Sequence, residues 1–315
     1  MMIVDFTDCR TVFNKYRGSE SKLALLYQND KYMVKFPDPI REKGREISYI
    51  NNAFSEHIGC KLFESAGLST QETLLGTYKQ SNGKVKYVCG CKDFTNEDKK
   101  LYEFETIQLS NVELEKKPSS ELGEIMKDID ECKLIYEKEK IKKAFWDMFI
   151  VDALIGNTDR HTANWGLLVS EKNGEVEFAP IYDCGSSLYP LYTDDDMKLK
   201  LNDAMDFNNI AQNVYSAIRV QGKRINYTGF ISSLENKNCN EALLRVFPKI
   251  DMGKVYKIIN AIEIISPVRK EFYTEFLKSR YENILQRAFK KVIKQEMVKD
   301  SSKEIMVNNG PKRIR

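Results

Sequence analysis

The residues best suited to chemistry lie in one short run, Gly156-Asn157-Thr158-Asp159-Arg160-His161-Thr162-Ala163-Asn164, and in a second ending Pro180-Ile181-Tyr182-Asp183. Between them Trp165 to Ser170 and Glu175 to Ala179 read as strands, with Asn173-Gly174 as a hairpin signal. If Asn173 and Gly174 are the two loop residues, the ladder sets Asn164 opposite Asp183. Opposed positions lie roughly 4.5–5.5 Å apart, so both side chains could reach one ion. An amide oxygen and a carboxylate are hard donors suited to Mg²⁺, which takes few protein ligands and completes its shell with phosphates and water. Asp159 is then left to orient an attacking hydroxyl. The chemistry implied is metal-assisted phosphoryl transfer.

Other residues are judged against that centre. In Tyr32-Met33-Val34-Lys35-Phe36, strand alternation puts Tyr32, Val34 and Phe36 on one face and Met33 and Lys35 on the other. Lys35 could thus project into a cleft and hold ATP phosphates, in the manner of the strand lysine of protein kinases; alone, it reads as an edge-strand lysine facing water. Glu56, on the next helix, is placed either to pair with Lys35 or to be solvated. Lys15-Tyr16-Arg17-Gly18-Ser19-Glu20-Ser21-Lys22 precedes the first strand and has the small residues of a phosphate-binding loop without the Walker pattern. His161 serves either near the phosphates or as a brace for its loop. Asp147 and Asp152 read as structural, Cys89 and Cys91 as buried strand residues.

The elements that must position these groups follow from periodicity. Leu23–Tyr27 and Lys31–Phe36 are predicted strands, as are Thr70–Tyr78 and Lys84–Cys89; Glu46–Ala66 carries Ile50, Phe54, Ile58 and Leu62 at helical spacing. Glu139–Ile155 is predicted as a helix buried on most sides, a rigid platform directly before the reactive run. Lys99–Leu122, with Pro118-Ser119-Ser120, reads as a surface loop or insertion. Further helices are predicted over Asp251–Ile265 and Arg269–Lys294, and a disordered basic tail over residues 297–315.

Composition bounds the reading. The chain has 315 residues, 42% hydrophobic and 30% charged, and a net charge of +3, too small to imply a nucleic-acid partner. Two histidines cannot supply a zinc spacing, and seven cysteines, an odd number, read as reduced thiols of a cytosol-like compartment. Asp147 and Asp152 interrupt the longest apolar run, so no membrane span is expected, and the first residues lack a signal-peptide pattern.

Gly-Asn-x-Asp-Arg-His-x-x-Asn followed by Pro-Ile-Tyr-Asp-x-Gly-Ser-Ser resembles the HipA-like serine/threonine kinases, over roughly residues 3–290. The resemblance implies an α+β, bilobal protein-kinase-like fold: a small mixed N-lobe over residues 1–93, a mainly helical C-lobe over residues 94–296, then the tail. It implies Asp159 as catalytic base, Asn164 and Asp183 as Mg²⁺ ligands, and Lys35 and His161 on the ATP phosphates. Arg17, Gly18, Ser19, Glu20, Ser21 and Lys22 would form the phosphate loop, and Cys91, Lys92 and Asp93 the hinge beside adenine. Transfer to protein serine or threonine hydroxyls is implied, with autophosphorylation. The position of the serine that some members autophosphorylate holds Lys15 here, with Ser19 and Ser21 nearby but unmatched. The chain begins at the kinase core, so the operator complexes of larger members are not expected; it is taken as a monomer. A phosphoinositide-type kinase also carries Asp-Arg-His-x-x-Asn, but would need a basic loop after Asp183, where Asp194-Asp195-Asp196 stands. A silent ATP-binding module would not need all three polar centres.

Overall fold

The structure, a computed structural model, describes residues 3–13, 22–36, 39–42, 45–48, 52–110 and 117–308. The N-terminal lobe is built on strands β1 (Val4–Asp5), β2 (Arg10–Val12), β3 (Lys22–Tyr27) and β4 (Asp30–Lys35), a small ribbon of β5 (Pro39–Glu42) and β6 (Arg45–Ser48), helix α1 (Asn52–Ser65), and strands β7 (Thr73–Lys79) and β8 (Val85–Lys92). Six strands form one sheet in the order β1-β7-β8-β4-β3-β2, antiparallel except for β1 against β7. The turn between β3 and β4 is Gln28-Asn29, both at positive φ, so Tyr27 pairs with Asp30 and Lys22 with Lys35. Alternation works as the sequence predicts. Tyr32, Val34 and Phe36 bury beside Phe6, while Met33 packs against Ala53, Cys89 and Cys91 on the opposite face. Gly76 and Gly90 let the Phe6 ring lie on the sheet; a Cβ at either would come within 2.6 Å of it.

Helix α1 runs Asn52–Ser65 rather than from Glu46, because Glu46 to Ser48, expected to open it, belong to strand β6. The predicted loop over Lys99–Leu122 is also corrected. It begins with strand β9 (Lys99–Glu103) and helix α2 (Phe104–Ser110), whose Phe104 and Ile107 are buried in the main core.

The C-terminal lobe continues with α3 (Leu122–Glu131), α4 (Lys138–Ile155), β10 (Gly166–Ser170), β11 (Val176–Phe178), α5 (Asp194–Asn202), α6 (Ala204–Gln212), β12 (Tyr215–Val220), β13 (Lys223–Asn226), α7 (Tyr227–Ser233), α8 (Lys237–Val246), α9 (Met252–Asn260), α10 (Pro267–Arg280) and, after a π-helical turn at Tyr281–Gln286, α11 (Arg287–Asn308). Where a disordered tail is expected from residue 297, helix α11 continues as far as Asn308. Helix α4 is buried nearly all round: Phe145, Trp146, Met148, Phe149, Val151, Leu154 and Ile155 are each at most 2% exposed. It ends on Gly156, whose φ of 68° closes the last turn with its N–H donated to the Asp152 carbonyl. A side chain there would meet the Phe276 ring at 2.8 Å.

Candidate active site

The run after α4 is held by the helix itself. The Asp152 carboxylate accepts from Arg160 Nε and Nη2 at 2.9 and 3.1 Å and from Asn157 Nδ2 at 3.0 Å. Asn157 Oδ1 in turn accepts from the Asp159 N–H at 3.0 Å, and Tyr227 donates its hydroxyl to the Asn157 carbonyl at 2.8 Å. Arg160 is fully buried. Burial alone would disfavour its charge, but Asp152 holds its pKa well above the ordinary value. Asp152 is structural as expected, though its partners are side chains.

Arg160 is also what brings the two reactive runs together. Its Nη1 donates to the Asn164 carbonyl at 2.6 Å and to the Tyr182 carbonyl, immediately before Asp183. The hairpin does not do this. β10 and β11 pair Leu167 with Phe178 and Val169 with Val176, and Ser170 and Glu175 close a longer loop, Glu171 to Gly174. The ladder is displaced by two residues from the predicted register and ends at Phe178. Ile181 has left it to bridge Thr70, with its carbonyl accepting from Gln71 N–H at 2.8 Å. A slip of two preserves which face each side chain takes, but Asn164 and Asp183 do not oppose each other in the ladder.

Asn164 Nδ2 donates to the Asp159 carbonyl at 2.7 Å, so the amide is anchored by its nitrogen and Oδ1 is its remaining donor atom for a cation. Asp183 sits at φ 60°, a left-handed backbone costly for a residue with a side chain. Its N–H is accepted by Glu56 Oε1 at 3.0 Å, and Lys35 Nζ donates to its Oδ1 at 2.5 Å. Glu56 Oε2 stands 3.2 Å from the same ammonium, an ion-pair contact without the direction of a hydrogen bond. Burial would raise the Asp183 carboxyl, but the Lys35 ammonium outweighs it and holds the pKa at about 2. Asp159 moves the other way. Partial burial and the Asp183 charge raise it, His161 and the nearby arginines pull it down, and water reaching over half of its side chain dampens the rise.

These groups share one cavity of about 790 Å³ between the lobes, lined by Asp159, His161, Asn164 and Asp183 together with Lys22, Lys35 and Asp93. Lys22 is opposite Lys35 in the sheet, a like-charge pair that is unfavourable without anions nearby. The remaining expectations divide. Cys91 is buried in the sheet, and Lys92 pairs with Asp30 at 2.6 Å, so neither side chain lines the cavity. The Lys92 and Asp93 N–H groups are donated to Glu72 and Lys31 carbonyls. Arg17, Gly18, Ser19, Glu20 and Ser21 lie outside the described residues. His161 is 3.9 Å from Asp159 and accepts at Nδ1 from the Ala163 N–H, which makes it at least a brace. Two groups were underrated by the sequence: Glu56, left undecided, and Arg160, whose only signal was its place after Asp159.

The HipA-like C-terminal domain family matches residues 15–246. A serine/threonine-protein kinase CtkA of Helicobacter pylori is 39% identical over 298 residues, covering 93% of this chain and 90% of that protein. The crystal structure of a Helicobacter pylori proinflammatory kinase CtkA superposes with a TM-score of 0.85 at 38% identity, over 93% of this chain and 99% of the other. HipA of Shewanella oneidensis, in a complex with HipB and operator DNA, has a TM-score of 0.46 at 16% identity, over 90% and 68% of the two chains.

Proposed function

The chain belongs to the HipA-like C-terminal domain family, and from that premise we propose that it is a serine/threonine protein kinase using ATP and Mg²⁺. Its fold is the bilobal α+β kinase fold of its CtkA relative. The observation that carries the reading is the shared ammonium: Lys35 meets both Glu56 and Asp183 beside a cavity that Asp159 and Asn164 also line. In active protein kinases a strand lysine pairs with a helix glutamate while a downstream aspartate takes the metal.

Lys35, with Lys22 beside it, would hold ATP phosphates. Two hard oxygens, Asn164 Oδ1 and the Asp183 carboxylate, fit Mg²⁺ carrying phosphates as its other ligands. When bound there, the ion supplies positive charge to the β- and γ-phosphate oxygens. Asp159 orients the acceptor hydroxyl and takes its proton as the oxygen bonds to the γ-phosphorus and the bond to ADP breaks. His161 and Asp93 both line the cavity; on this reading His161 would serve the phosphates and Asp93 the adenine. Autophosphorylation belongs to the proposal, with Ser19 and Ser21 the candidates to map.

The test offers Mg-ATP with a mixed protein substrate in one arm and phosphoinositide vesicles in another. Phosphate should appear on protein serine or threonine. Asp159→Asn should lower transfer about 10²–10⁴-fold with ATP affinity retained. Transfer only to lipid, or undiminished turnover by folded Asp159→Asn, would refute the assignment.

A further inference from the structure

The β12–β13 hairpin lies beside the catalytic run and takes no part in the chemistry described above. Its register sets Arg219 directly opposite Arg224 and Val220 opposite Lys223, around Gln221-Gly222, both at positive φ. Like charges directly opposed across a ladder are unfavourable without counter-charge. All three cations are exposed, and among the described residues no carboxylate lies within 4.0 Å of them. The Glu121 carboxylate is bound at the turn itself, accepting from the Gly222 N–H at 2.8 Å without forming an ion pair with the three cations.

Arg224 is fixed in place by backbone. Its Nε donates to the Ser216 carbonyl at 2.7 Å, and its Nη2 to the Tyr215 carbonyl at 3.1 Å and to the Thr158 carbonyl. The last belongs to the peptide unit that leads into Asp159. The guanidinium is thus tied one residue before the proposed base, and these bonds leave Nη1 unused. A guanidinium already immobilised loses little entropy on meeting a carboxylate, which Nη1 can meet with a charge-assisted hydrogen bond.

Resting on the kinase reading, we propose that this hairpin is the acceptor-side docking surface, and that Arg224, flanked by Arg219 and Lys223, selects serines or threonines with acidic side chains nearby. In an extended peptide at about 3.3 Å per residue, a side chain one to three positions from the acceptor is within reach of a guanidinium placed there. Opposite charge would also raise the encounter rate.

The test compares peptides with one acceptor serine flanked by Glu, Ala or Lys, using the full chain with Mg-ATP. Glutamate should lower the peptide KM about three- to tenfold relative to alanine without moving the ATP KM, and high salt should shrink the difference. Arg224→Glu and Lys223→Glu should shift preference toward the Lys-flanked peptide. The Lys223 side chain makes no hydrogen bond or ion pair among the described residues, so its variant keeps the test open if Arg224→Glu folds poorly. Equal use of the three peptides by the unaltered chain, or a glutamate preference unchanged in both variants, overturns the proposal. Failure to phosphorylate any peptide overturns the kinase reading instead, and is distinguishable because charge never enters.

Discussion

Asp183 combines three roles in one residue. Its left-handed backbone is sustained by the bond from its N–H to Glu56, its carboxylate faces Lys35, and a pKa of about 2 keeps it ionised across the working range. A cation arriving there displaces no proton. Asn164 contributes an oxygen but no net charge. Asp183→Ala should therefore weaken Mg²⁺-dependent nucleotide binding more than Asn164→Ala, as calorimetry with and without Mg²⁺ would read. The double variant should fall well short of the sum if, as proposed, both serve one ion. Full additivity would mean two separate sites. At this scale residue types and chain spacing singled out Asp159, Asn164, Asp183 and Lys35, which line one cavity, since oxygen donors and a strand lysine are chemically distinctive. Glu56 was not separable from a solvated helix glutamate, because its partner lies on another element.

At the scale of elements, α4 and Arg160 act as one unit. The helix supplies Asp152, the loop supplies Arg160, and the guanidinium clamps Asn164 to the segment before Asp183. Arg160→Met would leave the Asp152 carboxylate buried and unpaired, so it should cost about 3–5 kcal/mol, measured by urea unfolding. Asp152→Asn in the Arg160→Met background should recover part of that loss by removing the stranded charge. A loss below about 1 kcal/mol for Arg160→Met would show that water reaches the site and the clamp is not structural. The strands around Gln28-Asn29 and helix α4 were legible because their apolar periods are strong. The β10–β11 loop was not, because Asn173-Gly174 suits the last two places of a longer loop as well as a two-residue turn, and tertiary pairing of Ile181 with Thr70 shortened the ladder.

Across the whole molecule, α1 is the element both lobes share, packed on β7 and β8 on one side and on α4 and α9 on the other. Its His57 is buried, with Nδ1 2.9 Å from the Thr73 hydroxyl. Burial, then the Lys61 charge, lowers its pKa to about 4 from an ordinary 6.5. Between those values the unfolded chain takes up a proton that the folded chain refuses, so stability rises with pH there and is lost as pH falls from 6.5 toward 4. The loss attributable to His57 should be on the order of 3 kcal/mol. Urea midpoints at pH 7.5, 5.5 and 4.5 should show the decline, and His57→Gln should flatten it. An unchanged slope in His57→Gln would assign the proton uptake to other groups.

By itself the sequence determined the reaction class and nominated the parts proposed for it: an aspartate, an asparagine and a second aspartate in polar runs next to a buried helix, and a lysine on the inward face of a strand. Those follow from side-chain chemistry and local period, which the chain carries without folding. Only the tertiary structure decided how the parts meet. Glu56 and Lys35 join α1 to the sheet, Arg160 rather than a hairpin ladder draws Asn164 toward Asp183, and Arg224 brings a basic hairpin to Thr158. Each of these contacts links residues distant in sequence or bonds a charged side chain to backbone carbonyls. Carbonyls are common to every residue, so no pattern of residue types could announce them.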